Sequence, residues 1–119
     1  MKIGSHILVA EDNETFRELV REVFSDHGYR VSEASNGVEA LALMERYPFD
    51  LAIVDLEMPQ MNGLDLTKHI KAKKPGFPVI MVTAYAAFHS PAEILEANVD
   101  AFLQKPVAMD KLVRIVEQL

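Results

Sequence analysis

Short apolar runs alternate along this chain with segments whose apolar positions recur every three or four residues. Ile7-Leu8-Val9-Ala10, Leu51-Ala52-Ile53-Val54 and Val79-Ile80-Met81-Val82 are apolar at every position. That is the pattern of a parallel strand covered on both faces. Arg30 to Ala34 and Ala101-Phe102-Leu103 read as two further strands. Phe16, Leu19, Val20, Val23 and Phe24 fall at i, i+3, i+4, i+7 and i+8, one face of an amphipathic helix that Gly28 stops. Asn36-Gly37-Val38-Glu39 has the cap-x-x-Glu spacing of a helix start, with Leu41 and Met44 expected among the buried positions beyond it and Pro48 ending it. After a loop from Leu56 to Asn62, a third helix is expected from about Gly63 to Lys73. Ser90-Pro91-Ala92-Glu93 combines a capping box with proline at the first helical position and opens a fourth helix, which ends near Asn98. Leu112, Ile115, Val116 and Leu119 mark a fifth, starting near Ala108, where no capping side chain is available. Alternation of this kind predicts an α/β fold: one domain over residues 1–119, a single doubly wound parallel sheet of five strands with five helices on its two faces.

In open sheets of that type, ligands sit outside the carboxyl ends of the strands. The polar residues that follow the strands here are Glu11 and Asp12, then Asp55, Thr83 and Lys105, so all of them fall on one edge. Taken singly, a strand-end Asp is ordinarily a cap or a solvated turn, a Lys before Pro a surface lysine, and a Thr a hydroxyl bonded to its own backbone. Together they describe a site. Two carboxylates roughly 4 Å apart repel by about 4 kcal/mol at an effective dielectric of about 20. A hard divalent cation relieves that repulsion, and an all-oxygen ligand set suits Mg²⁺, with Mn²⁺ as a substitute. An Asp beside such a cation, with a lysine opposite and a hydroxyl nearby, can accept a phosphoryl group as an acyl phosphate.

Composition narrows the alternatives. Of the 119 residues 50% are hydrophobic and 25% charged, which is globular usage rather than disorder. The absence of cysteine excludes a disulfide framework, a thiol nucleophile and a Cys-based zinc site. Twelve basic against eighteen acidic side chains give a net charge of −6, which disfavours direct contact with nucleic acid or an anionic membrane. No apolar run approaches the ~20 residues that cross a bilayer, and Met1 to His6 carry no apolar signal region, so a cytoplasmic location is the expectation.

The stretches Glu11-Asp12-Asn13, Asp55-Leu56-Glu57-Met58-Pro59-Gln60-Met61-Asn62-Gly63, Thr83-Ala84-Tyr85 and Phe102-Leu103-Gln104-Lys105-Pro106 resemble the receiver domain of two-component response regulators, in that family's order and spacing. The resemblance implies a flavodoxin-like sheet of order 2-1-3-4-5, like that of the chemotaxis regulators. It implies that Asp55 is the phosphoacceptor, taking its phosphoryl group from a histidine kinase or a histidine phosphotransfer protein. Glu11 and Asp12 would hold Mg²⁺ together with Asp55 and the backbone carbonyl of Glu57. Lys105 and Thr83 would contact phosphoryl oxygens, Thr83 and Phe102 would form the switch, and Glu57 and Tyr85 would tune self-dephosphorylation. The Lys105-Pro106 peptide is expected to be cis. Asn98 stands where the family usually has glycine, and asparagine tolerates the left-handed conformation required there.

Asn13, Phe16, Leu19 and Pro106 are the residues expected to dock the phosphodonor, although Leu19 reads equally well as core. His6, His27, His69 and His89 lack metal-ligand spacing and are expected at the surface. Lys68, Lys71, Lys73 and Lys74 read as a solvated face complementing a helix dipole, and Met58 and Met61 as adaptable packing beside the Asp55 loop. A flavin site on the same architecture needs a Ser/Thr/Gly-rich loop where Glu11 and Asp12 stand, and an aspartyl phosphatase needs a second Asp where Glu57 stands. A receiver-like binding module that is never phosphorylated is the remaining alternative. The fifth helix finishes about where the sequence does, so a stand-alone relay and a receiver belonging to a longer regulator or hybrid kinase are both expected forms. The downstream partner is then another protein or an effector domain.

Overall fold

A computed structural model of the chain describes residues 1–84 and 91–119. Five strands, β1 (His6–Ala10), β2 (Arg30–Ala34), β3 (Leu51–Asp55), β4 (Val79–Thr83) and β5 (Ala101–Gln104), alternate with α1 (Glu14–Asp26), α2 (Gly37–Arg46), α3 (Gly63–Lys73), α4 (Pro91–Glu96) and α5 (Met109–Glu117). The strands form one parallel sheet in the order β2-β1-β3-β4-β5, the flavodoxin-like arrangement that the motifs imply.

The strands are apolar throughout because each builds two cores. Ile7 and Val9 of β1, with Leu51 and Ile53 of β3, face Val20 and Phe24 of α1 and Leu112 and Val116 of α5. The intervening Leu8, Ala10, Ala52 and Val54 pack on Leu66 and Ile70 of α3 and Ala40 of α2. Side chains alternate between the faces of a strand, so only a run without polar interruption suits the centre of such a sheet.

Helix starts follow local chemistry. Asn13, Asn36 and Asn62 each precede a helix, and each side-chain oxygen accepts the N–H three residues on, from Phe16, Glu39 and Asp65, at 2.8 Å. Ala108 precedes α5 without a side-chain cap, as expected. The cap expected of Ser90 lies outside the described residues. Gly28 (φ 91°) and Asn98 (φ 60°) take the left-handed turn after α1 and α4.

Some expectations need correction. Leu119 lies beyond the end of α5 and is 42% exposed, because the helix ends at Glu117 before its apolar face can bring Leu119 inward. Leu19 is 44% exposed and is not a core residue. His6 is not a free surface histidine: its ring stacks on Phe49 at 4.1 Å and its nitrogens lie 3.1 Å from the Pro48 carbonyl and 2.7 Å from Ser32 Oγ. Lys71 is not simply solvated, since its ammonium pairs with Asp100 at 3.1 Å with the side chain only 12% exposed. His27 and His69 are exposed, and His89 lies outside the described residues. No helix among the described residues is long and apolar enough to cross a membrane.

Candidate functional site

The register of the sheet delivers the acidic residues to one place. Ala10 pairs with Val54, so the residues that follow them, Glu11 and Asp55, emerge side by side at the carboxyl edge. Carboxylate oxygens of Glu11, Asp12 and Asp55 lie within 4.8 Å of one another. Glu11 and Asp55 are buried, whereas Asp12 is exposed at the mouth. From the other side Lys105 Nζ donates to Glu11 Oε1 at 2.5 Å and to Asp55 Oδ2 at 3.3 Å. The backbone between Lys105 and Thr83 is closed by the Lys105 N–H bond to the Thr83 carbonyl, 2.9 Å, which keeps the two residues adjacent. The Lys105-Pro106 peptide is cis.

Backbone donors orient the carboxylates. The Glu57 N–H donates to Asp55 Oδ1 and the Asn13 N–H to Glu11 Oε2, both at 3.1 Å. The loop after β3 folds tightly enough to bring Gly63 against the Asp55 peptide; a Cβ on Gly63 would stand 2.2 Å from the Asp55 carbonyl oxygen. Gly63 also donates its N–H to the Leu56 carbonyl at 2.9 Å, so the start of α3 and the position of Asp55 are one structural unit.

Burial, reinforced by the neighbouring Asp55, pushes the Glu11 carboxyl up to about 8. Burial alone would lower Lys105, but its bond and attraction to Glu11, followed by Asp55, prevail and hold its ammonium above the ordinary value. The pocket therefore keeps the lysine charged while disfavouring three simultaneous carboxylate charges. The donor set passes the test for a hard cation: converging, crowded carboxylate oxygens with an anionic excess that a single ammonium does not match.

Of the remaining expected site residues, Thr83 is fully buried at the end of β4. Phe102 is half-buried against the cluster of Leu56, Leu64, Met81 and Ala97. Glu57 is half-buried in the loop, and Tyr85 lies outside the described residues. Phe16, Leu19 and Pro106 line one shallow apolar groove with Ala84, Lys105 and Val107. Asn13 stands beside it with its side chain spent on capping α1. Met58 and Met61 pack on the α2–α3 core, as expected of gap-filling methionines.

Two features escaped sequence reasoning. The Lys105 ammonium stands 4.3 Å from the centre of the Phe16 ring, a cation–π contact. Arg17 Nη1 donates to the Glu11 carbonyl at 2.9 Å, and its Nε to Glu33 Oε1 at 3.1 Å. The available signal was an arginine one helical turn beyond the Asn13 cap, followed one turn later by Arg21, amid Glu14, Glu18 and Glu22.

Comparison with known proteins follows the same lines. The family model for the response regulator receiver domain matches residues 7–117. The transcriptional regulatory protein ZraR of Klebsiella oxytoca is 35% identical over 106 residues, covering 89% of this chain and 24% of that protein. The regulator of RpoS of Escherichia coli K12 is 38% identical over 105 residues, covering 88% and 31%. The chain thus spans about a quarter to a third of the length of these curated relatives. Among solved structures, a CheY-like receiver domain protein of Methanospirillum hungatei superposes with a TM-score of 0.92 at 30% identity, covering 97% of this chain and 92% of that one. The Thermotoga maritima response regulator TrrA, solved with Mg²⁺ and BeF, gives 0.87 at 34% identity, covering 96% and 97%.

Proposed function

Because the chain belongs to the response regulator receiver domain family, we propose that residues 1–119 act as one phosphoacceptor domain in which Asp55 takes a phosphoryl group from a phosphohistidine. The donor is a histidine kinase or a histidine phosphotransfer protein. An Asp55 carboxylate oxygen attacks phosphorus, the P–N bond breaks, and the electron pair stays with the departing imidazole. The observation that carries this reading is the convergence of Glu11, Asp12 and Asp55 opposite Lys105 at the carboxyl edge.

Glu11, Asp12 and Asp55 are the side chains that hold Mg²⁺, or Mn²⁺ in its place, with the Glu57 carbonyl as a further ligand. When bound, the cation neutralises charge developing on the phosphoryl oxygens. Lys105 supplies a second positive charge, already held in its protonated form by its acidic neighbours. The Glu57 N–H bond keeps Asp55 in one rotamer for attack. Thr83 donates its hydroxyl to a phosphoryl oxygen, and Phe102, on the neighbouring strand, turns as Thr83 moves, changing the surface of α4, β5 and α5. Glu57 and Tyr85 tune the slow loss of the phosphoryl group to water. The groove lined by Phe16, Leu19 and Pro106, beside Asn13, is where the donor docks. The output is a downstream protein or an effector domain, in a relay, a longer regulator or a hybrid kinase, and the setting is cytoplasmic.

The test is a beryllofluoride titration with Mg²⁺, followed by amide NMR. The parent is expected to bind tightly and shift resonances around Asp55 and Thr83, and Asp55→Asn to show no response. Equal responses in parent and variant, or none in the parent, would leave the chain a receiver-like binding module that is not phosphorylated.

A further inference from the structure

We propose that Arg17 and Glu33 form a clamp that sets the Mg²⁺ affinity of the pocket, Arg17 as a positioning residue and Glu33 as its counter-charge. The inference rests on the assignment of Glu11 and Asp12 to the cation.

Both main-chain groups of Glu11 are tied to the edge strand β2. Its N–H donates to the Ala34 carbonyl at 2.9 Å. Its carbonyl accepts from Arg17, whose guanidinium is held in turn by Glu33 of the same strand. The Glu11 carbonyl shares its peptide plane with the Asp12 N–H. Holding that carbonyl therefore fixes the plane from which Asp12 departs, between two residues that must present carboxylates to one point. The clamp is well built: the Arg17 side chain is 16% exposed and that of Glu33 27%. Arg21 Nε approaches the second Glu33 oxygen at 3.6 Å.

Charge gives Glu33 its role. A guanidinium in contact with the Glu11 main chain sits next to a pocket meant for a dication and would repel it. Glu33 lies between Arg17 and Arg21 and offsets that field. Losing Arg17 frees the peptide plane; losing Glu33 frees the guanidinium and uncovers its charge. Either change weakens cation binding without touching a ligand, as partners behind metal ligands commonly do.

The experiment is calorimetric titration of the full chain with Mg²⁺, well below each variant's thermal midpoint. Arg17→Lys, Arg17→Gln and Glu33→Gln are each expected to bind about tenfold more weakly than the parent. The double variant Arg17→Gln/Glu33→Gln should be no weaker than the weaker single one, because the two side chains act as a unit. Arg17→Lys keeps the charge but cannot span both partners, so its failure to restore affinity separates positioning from charge alone. Affinities within about twofold of the parent in the folded variants would overturn the clamp, whatever happens to their thermal midpoints. If Arg17→Gln does not fold, Glu33→Gln decides by the same criterion. Asp12→Asn is the control for the underlying assignment. If it binds Mg²⁺ like the parent, the pocket reading fails; if it loses binding while the clamp variants keep theirs, only the clamp does.

Discussion

Aspartates stand at both edges of the sheet and do opposite work. At the amino edge, Asp50 precedes β3 and Asp100 precedes β5, and each serves the strand beside its own. Asp50 gives its N–H to the His6 carbonyl and accepts the His6 N–H on Oδ2, both at 2.8 Å. Asp100 does the same with Val79, again at 2.8 Å, and adds the ion pair to Lys71. Each of these carboxylates completes the first rung of a parallel ladder, where a strand would otherwise start on an unpaired donor. At the carboxyl edge, Glu11, Asp12 and Asp55 crowd one another around a single ammonium. A carboxylate before a strand accepts the neighbouring strand's N–H and completes its ladder. One after a strand takes a backbone donor from its own loop and also meets its neighbours' carboxylates, so its remaining oxygen is turned toward a shared point.

The sharpest way to break that contrast is to force the edge-forming loop apart. Gly63→Ala places a methyl group into the Asp55 peptide. It is expected to cost about 3 kcal/mol or more in urea unfolding and to abolish phosphorylation in whatever remains folded, because stability and site share this contact. Removing an amino-edge carboxylate affects only stability. Asp100→Ala strands the Val79 N–H and Lys71 and should cost about 1–3 kcal/mol, while phosphorylation proceeds at the parent rate in the folded protein. Asp50→Ala, at a more exposed ladder end, should cost about 1 kcal/mol.

The carboxyl edge responds in the other direction. Burial and the neighbouring Asp55 raise the Glu11 carboxyl of the folded protein to about 8, against an ordinary value of 4.5. Its contribution to metal-free stability is therefore complete below pH 4.5 and is lost as pH rises through about 8. Urea midpoints for the parent should fall across that window relative to those of Glu11→Gln. Mg²⁺ should raise the parent's midpoint more at the alkaline end, since cation and proton compete for the same oxygens. A parallel pH course in parent and variant would remove Glu11 from the shared charge of the pocket. The smallest effect is expected of Asp12→Asn without metal: a gain of at most about 1 kcal/mol, from relieving repulsion at an exposed carboxylate.

Much of this was legible in the sequence. The uninterrupted apolar runs at Leu51 and Val79 announce buried parallel strands, and Asn36, Asn62 and Gly28 punctuate them by local chemistry. Glu11 and Asp55 could be placed together because each directly follows such a run, and Lys105 joins them two residues past Leu103 of the fifth strand, since parallel strands put those positions on one edge. What stayed hidden depends on register and on neighbours distant in sequence. Asp50 and Asp100 look like loop residues until the adjacent strand brings its N–H. The link from Arg17 to Glu33 exists because β2 lies beside β1 with Val9 opposite Glu33. Lys71 resembles its lysine neighbours until Asp100 approaches. Leu119 extends an apolar period beyond the point where backbone bonding sustains the helix.

The most direct test of the whole account is the site of covalent modification. The protein is exposed to acetyl phosphate with Mg²⁺, any acyl phosphate is trapped with borohydride, and the reduced residue is located by peptide mass spectrometry. The expected result is reduction at Asp55 alone, dependent on Mg²⁺ and absent when the cation is chelated. Reduction at Asp12 or at an amino-edge carboxylate such as Asp50, or equal labelling in chelator, would contradict it.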